Sequence, residues 1–159
     1  MIHIVKAIEL DAVDRLSLKA IQQMKQDGLT QWDERYPRAV HFLQDIRHAS
    51  LFGVYEGETL QGVACIDQTF HSCYYSLDWD MTDSVIVHRM VVDPSVQGKG
   101  IGRQLLTHAE TLAMQNNQRF VKLDTHQDNH KMIGLLKKLG YREVGYLTEI
   151  NRIAYEKEL

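Results

Sequence analysis

Apolar residues recur along the chain with two different periods, and the change of period marks the elements. From residue 11 to about 26, Val13, Leu16, Ile21 and Met24 return at helical spacing, and Asp27-Gly28 ends the run. A shorter helix is predicted over 39–46, after the aromatic stretch Trp32-Asp33-Glu34-Arg35-Tyr36-Pro37. Residues 2–5, 50–55 and 60–67 read as strands, the last two joined through Glu56-Gly57-Glu58 as a hairpin. Residues 68–83 are polar and aromatic without a period. Residues 85–92 are rich in β-branched side chains, which favour extended backbone, and Asp93-Pro94 stops them. A helix over 102–115 presents Leu105, Leu106, Ala109, Leu112 and Ala113 on one stripe. A strand over 120–124 and a helix over 130–139 follow, the helix stopping at Gly140, which tolerates the left-handed backbone of a helix end. Strands over 144–146 and 150–156 close the chain. This order predicts an α/β (α+β) fold with a mixed central sheet.

Length changes this picture little: 159 residues and 18.4 kDa suit a single domain over 1–159. Charge narrows it. Eighteen Lys and Arg against 21 Asp and Glu leave a net charge of −3, a poor balance for gripping a phosphate backbone, so no nucleic-acid partner is expected. Cys65 and Cys73 form neither a disulfide framework nor a CxxC pair. The opening Met1-Ile2-His3-Ile4-Val5-Lys6 lacks a secretory signal, and no apolar run nears the roughly 20 residues of a membrane span. A cytoplasmic setting without membrane contact is expected. The eight histidines are scattered rather than spaced as ligands, so no metal is expected.

Chemistry concentrates in Met90-Val91-Val92-Asp93-Pro94-Ser95-Val96-Gln97-Gly98-Lys99-Gly100-Ile101-Gly102-Arg103. A strand runs into a glycine-rich turn that opens a helix. Glycines let several backbone N–H groups crowd one anion, and the helix dipole adds partial positive charge at the same end. Lys99 and Arg103 bring full charges, which suits a pyrophosphate. A Walker A loop needs Ser or Thr after its Lys, but Gly100 follows Lys99, and position 93 is Asp. A dinucleotide fingerprint needs a third glycine where Arg103 or Leu105 stands. What remains is Q-x-x-G-x-G, read at Gln97, Gly100 and Gly102.

That loop, its Met90–Pro94 lead-in, and Asn129 before Leu135-Leu136-Lys137-Lys138-Leu139-Gly140-Tyr141 resemble the GNAT superfamily of N-acetyltransferases. Trp32…Tyr36-Pro37, Asp124-Thr125-His126 and Ala154-Tyr155-Glu156-Lys157 resemble a branch without an assigned acceptor. The resemblance implies a sheet splayed between strands 85–92 and 120–124, with acetyl-CoA as cosubstrate and its thioester in the gap. It implies that the backbones of Met90 and Val92 hold the pantetheine arm as an added strand would. The N–H of Val91 would polarise the thioester carbonyl. Gln97 and the amides of Gly98, Lys99, Gly100, Ile101, Gly102 and Arg103 would hold the pyrophosphate. Asn129 matches a cofactor-side asparagine, and equally reads as a helix N-cap. Trp32 and Tyr36 fall where the acceptor wall is built, or form a packed aromatic corner. A homodimer is a further expectation of the family.

Transfer to an amine needs a base, an oxyanion donor and a fate for the thiolate. His88, which interrupts an apolar strand, is the first candidate base, and a hydrogen-bonded core histidine is its plain alternative. His126 is the second, against an exposed loop histidine. Simple alternation would put His88, Met90 and Val92 on one face and Val87, Arg89 and Val91 on the other. Leu136 stands where many family members carry a thiolate-protonating Tyr, which opens an alternative: a non-catalytic acyl-CoA sensor or interaction module. Tyr141 reads as core. After residue 71, Asp78, Asp80 and Asp83 with Tyr74, Tyr75 and Trp79 suit a cationic amine or a subunit contact. The acceptor is expected to be a small-molecule amine or a protein amine.

Overall fold

The computed structural model describes residues 1–159 and shows every element expected from the pattern, with several ends moved. Helix α1, Leu10–Gln26, buries Val13, Leu16, Ala20 and Ile21 on its apolar stripe. It ends as Asp27-Gly28 predicts: Gly28 takes φ 76°, and the N–H of Leu29 donates to the Met24 carbonyl at 2.9 Å. Helix α2, Ala39–Arg47, starts where the Arg38 N–H donates to His41 Nδ1 at 3.0 Å. Short 3₁₀ turns over Ala7–Glu9 and Ser72–Ser76 were not predicted, being too brief to show a period.

The chain divides into two compact units, Met1–Ile66 with His88–His108, and Asp67–Val87 with Ala109–Leu159. In the first, strand β1 (Ile2–Ile4) pairs antiparallel with β2 (Leu51–Glu56), and β2 with β3 (Thr59–Asp67). Val5, Phe42, Leu51, Val63 and Val91 join the buried face of α1 in one core. Strand β4, Ser84–Val92, and helix α3, Ile101–Gln115, contribute residues to both units.

In the second unit β4 runs parallel to β5 (Phe120–Thr125), registered from Ser84–Phe120 to Ile86–Lys122. A parallel pair requires a crossover, and α3 supplies it. Helix α4, His130–Lys138, is followed by β6 (Arg142–Leu147) and β7 (Arg152–Glu158), and β7 pairs antiparallel with both β5 and β6. Gly140, at φ 83°, ends the α4 segment with the N–H of Tyr141 on the Leu136 carbonyl at 3.0 Å. Part of the aromatic stretch before β4 packs inward: Tyr74, Ile86, Leu147 and Ala154 form a core joined by Phe70, Leu77 and Trp79, while Tyr75 is exposed. The sheet is mixed and seven-stranded, ordered β1-β2-β3-β4-β5-β7-β6. No helix is long and apolar enough to cross a membrane.

Candidate active site

Three features shape the glycine-rich loop of the first unit. Asp93 stops β4 by accepting from the Ser95 N–H at 2.8 Å, which starts a short 3₁₀ turn over Pro94–Val96. Gly98 and Gly100 then take φ 83° and 82°, the left-handed region that glycine enters without a Cβ clash. Finally, the first helical bond of α3 runs from the Gln104 N–H to the Gly100 carbonyl at 3.0 Å. The amides of Ile101, Gly102 and Arg103 therefore lie ahead of the helical ladder, at its positive end. A Cβ added at Gly98 or Gly100 would meet no atom within 4 Å, so the space over the loop is open. The residues present fit a diphosphate.

The strand leading into the loop is held tightly from behind. The N–H of Asp93 donates to the Gln61 carbonyl at 2.9 Å. A Cβ on Gly62 would stand 2.9 Å from the Val91 carbonyl oxygen and 2.8 Å from Ile101 Cγ2. Lys19 of α1 binds both oxygens of Asp93, at 2.8 and 2.9 Å. Burial alone would raise the Asp93 carboxyl, but the bonds from Lys19 and Ser95 outweigh it and hold it below its ordinary value.

Simple alternation fails in the middle of β4. Arg89 has φ 44°, a left-handed value that costs a non-glycine residue roughly 1–2 kcal/mol. His88, Arg89 and Met90 are all partly exposed, so the division of this strand into two clean faces does not hold. The Arg89 guanidinium reaches α2, where Nε and Nη2 donate to the two oxygens of buried Asp45 at 2.7 and 2.6 Å. Nη1 donates to the Tyr36 hydroxyl at 3.1 Å. Burial pushes the guanidinium down, yet the Asp45 and Tyr36 contacts prevail and its pKa lies above the ordinary value. Tyr36 is 39% exposed, and its ring meets His41 edge-on at 4.7 Å. Trp32, by contrast, packs against the core of the unit.

The second unit carries the remaining expected residues. Asn129 is the N-cap of α4, its side chain accepting from the Met132 N–H at 3.2 Å. His126 is buried rather than loop-exposed. Its Nδ1 accepts from the Asp128 N–H at 3.1 Å, and Nε2 lies 3.5 Å from the Asn151 side chain. Tyr141 is core, as expected, and burial with the nearby Glu110 carboxylate pushes its phenol up. Leu136 is fully buried.

The expected cation-binding surface over 71–80 is corrected for Tyr74 and Trp79, while Tyr75 and Asp78 stay exposed. Tyr74 is buried and donates to Asp124, and Trp79 Nε1 donates to the Tyr74 carbonyl at 2.8 Å. The cation over the Trp79 ring is the protein's own Lys122, at 5.0 Å, because the strand register sets Lys122 beside Glu156 under this segment. Asp80 is occupied by the N–H and hydroxyl of Thr82. Glu149, distant in sequence, joins His71 and Cys73 with ligand atoms all within 4.8 Å of one another, but His71 Nδ1 already accepts from the Cys73 N–H.

Sequence reasoning missed Arg89 and Asp45. Arg89 reads as an ordinary charged residue in a strand, and Asp45 as an ordinary charged residue in a helix. The one available signal was a charge inside each apolar pattern.

The chain matches the Acetyltransferase (GNAT) family over residues 18–141. The N-alpha-acetyltransferase RimI of Mycobacterium tuberculosis is 29% identical over 107 residues, 67% of this chain and 61% of its own length. The chain spans less than two thirds of the curated relatives it matches, 42%, 61% and 35% of their lengths. A GNAT family acetyltransferase from Streptococcus agalactiae shares the fold with a TM-score of 0.88 at 23% identity, covering 100% of this chain and 95% of its own. The yncA protein of Salmonella typhimurium, solved with its cofactor acetyl-CoA, does so with a TM-score of 0.76 at 16% identity, over 100% and 93%. With that match running from α1 through the glycine loop to the end of α4, the chain belongs to the GNAT family of acetyltransferases.

Proposed function

We infer that this chain moves an acetyl group from acetyl-CoA to a primary amine by direct attack of the amine on the thioester. One observation carries the reading: Gly98 and Gly100 are both left-handed, with open space above them, at the start of α3. The amides of Gly98 through Arg103, Gln97, and the charges of Lys99 and Arg103 receive the diphosphate. The backbones of Met90 and Val92 take the pantetheine arm, the Val91 N–H faces the thioester carbonyl, and Asn129 contributes beside its capping role. Acetyl-CoA supplies the activated acyl group.

A lysine-like amine is protonated at pH 7, and freeing it costs about 4–5 kcal/mol. His88, next to the cofactor-binding stretch of β4, takes that proton, with His126 as the second candidate. Buried Leu136 has no proton to give. A thiolate with a pKa of roughly 8.5 is already a fair leaving group, and solvent reprotonates it. Tyr36 and Trp32 border the acceptor. The mycobacterial relative is named an N-alpha-acetyltransferase and a Salmonella typhimurium relative a peptidyl-lysine N-acetyltransferase, which supports a protein amine as the favoured acceptor class. Cys65 and Cys73 are both buried thiols, which suits a reducing, cytoplasmic setting.

The test is acetyl-CoA binding by calorimetry together with coenzyme A release against peptide N-termini, lysine peptides and small amines. Binding with turnover on one class is expected. Tight binding with no release on any amine would replace catalysis by acyl-CoA sensing.

A further inference from the structure

Arg89 does more than an anchoring ion pair requires. To tie α2 to the sheet, its two bonds to Asp45 suffice. Yet Nη1 also holds the hydroxyl of partly exposed Tyr36, and the residue keeps a left-handed φ of 44° inside a strand. Unfavourable backbone persists where surrounding contacts over-determine it, and such outliers gather at functional sites. Here the outlier lies between His88 and Met90, and from that position the guanidinium fixes the place of Tyr36.

The Tyr36 ring is clamped from two sides, by Arg89 at its oxygen and by the edge of His41 at its ring. His41 is itself fixed, since its Nδ1 accepts from the Arg38 N–H, and Arg38 binds both oxygens of Asp14 on α1, each at 3.2 Å. A side chain meant only as surface cover needs no such support, whereas a wall that sets a substrate's position within tenths of an ångström does.

We propose that Arg89 is a positioning residue of the acetyl transfer: by holding Tyr36 from the cofactor strand, it registers the acceptor amine against the thioester. This rests on the function inferred above. Arg89 touches neither the reacting atoms nor the diphosphate loop, so its loss acts on the acceptor and leaves the cofactor's grip intact.

The test uses Tyr36→Phe, which removes one hydrogen bond, and Arg89→Lys, which keeps the charge but loses the bidentate fork. With the amine of highest turnover, each variant is expected to lose about tenfold or more in kcat/KM for the amine, with acetyl-CoA affinity within about twofold of wild type. The double variant should lose no more than Arg89→Lys alone, because both changes break one unit. Wild-type kcat/KM for the amine in Tyr36→Phe overturns the proposal. So do additive losses, or an equal loss of acetyl-CoA affinity, which would mark a merely structural role. If Arg89→Lys does not fold, Tyr36→Phe decides alone. A wild-type protein that neither binds acetyl-CoA nor turns over would sink the function itself and this inference with it. Normal wild-type turnover beside an unaffected Tyr36→Phe sinks only the inference.

Discussion

His88, Arg89 and Met90 occupy consecutive positions of β4 and carry different tasks in the proposed reaction. Replacing His88 with Ala tests its role as base: kcat should fall roughly 10²–10⁴-fold while acetyl-CoA affinity stays put. A wild-type kcat in that variant would pass the role to His126 or to solvent. Gly100 gives a second test at this scale. At φ 82° a β-branched side chain is strained, and here its Cβ would enter the open space at the glycine loop. Gly100→Val should weaken acetyl-CoA binding by more than about tenfold by calorimetry, consistent with losing about 1.4 kcal/mol or more. Retained affinity would mean that the loop holds something else. The glycines themselves were legible in the sequence, because their spacing excluded two other phosphate loops. The left-handed Arg89 was not, since arginine, unlike glycine, has no leaning toward positive φ that a sequence could show.

At the scale of elements, β3 approaches β4 closely at Gly62. Gly62→Ala would set a Cβ 2.9 Å from the backbone oxygen of Val91, which cannot swing aside as a side chain end does. A loss of about 1–3 kcal/mol in urea unfolding is expected, with weaker acetyl-CoA binding because the displaced residues are Val91 and Val92. Unchanged stability would show that the strands part at no cost. Helix ends were readable beforehand: Asp27-Gly28 and Gly140 stop α1 and α4 through local backbone chemistry. The segment before β4 was not. Its aromatics carry no period, and only the core of the second unit shows that Tyr74 and Trp79 face inward.

For the molecule as a whole, long-range charge pairs tie distant parts of the chain, and Lys19–Asp93 is one that pH can test. Asp93 is held below its ordinary pKa, so its charged form is favoured in the fold. Its stabilisation is complete above the unfolded value of roughly 3.9 and disappears as pH falls through the lower folded value. Asp93→Asn keeps a capping oxygen for the Ser95 N–H and removes the ion pair, so it should lower stability at pH 7 by less than about 1 kcal/mol. In thermal melts the gap between variant and wild type should close in acid, as pH falls through the lowered carboxyl pKa of the fold. A gap independent of pH would assign the effect to the cap. By itself the sequence determined the order of elements, the helix ends and the glycine loop, because period, caps and turns are written in neighbouring residues. Tertiary structure alone decided that Lys122 fills the aromatic face offered by Trp79, that His126 is buried, and that Arg89 joins Asp45 to Tyr36. Those contacts join residues dozens of positions apart, and no local pattern encodes which distant partner a side chain will meet.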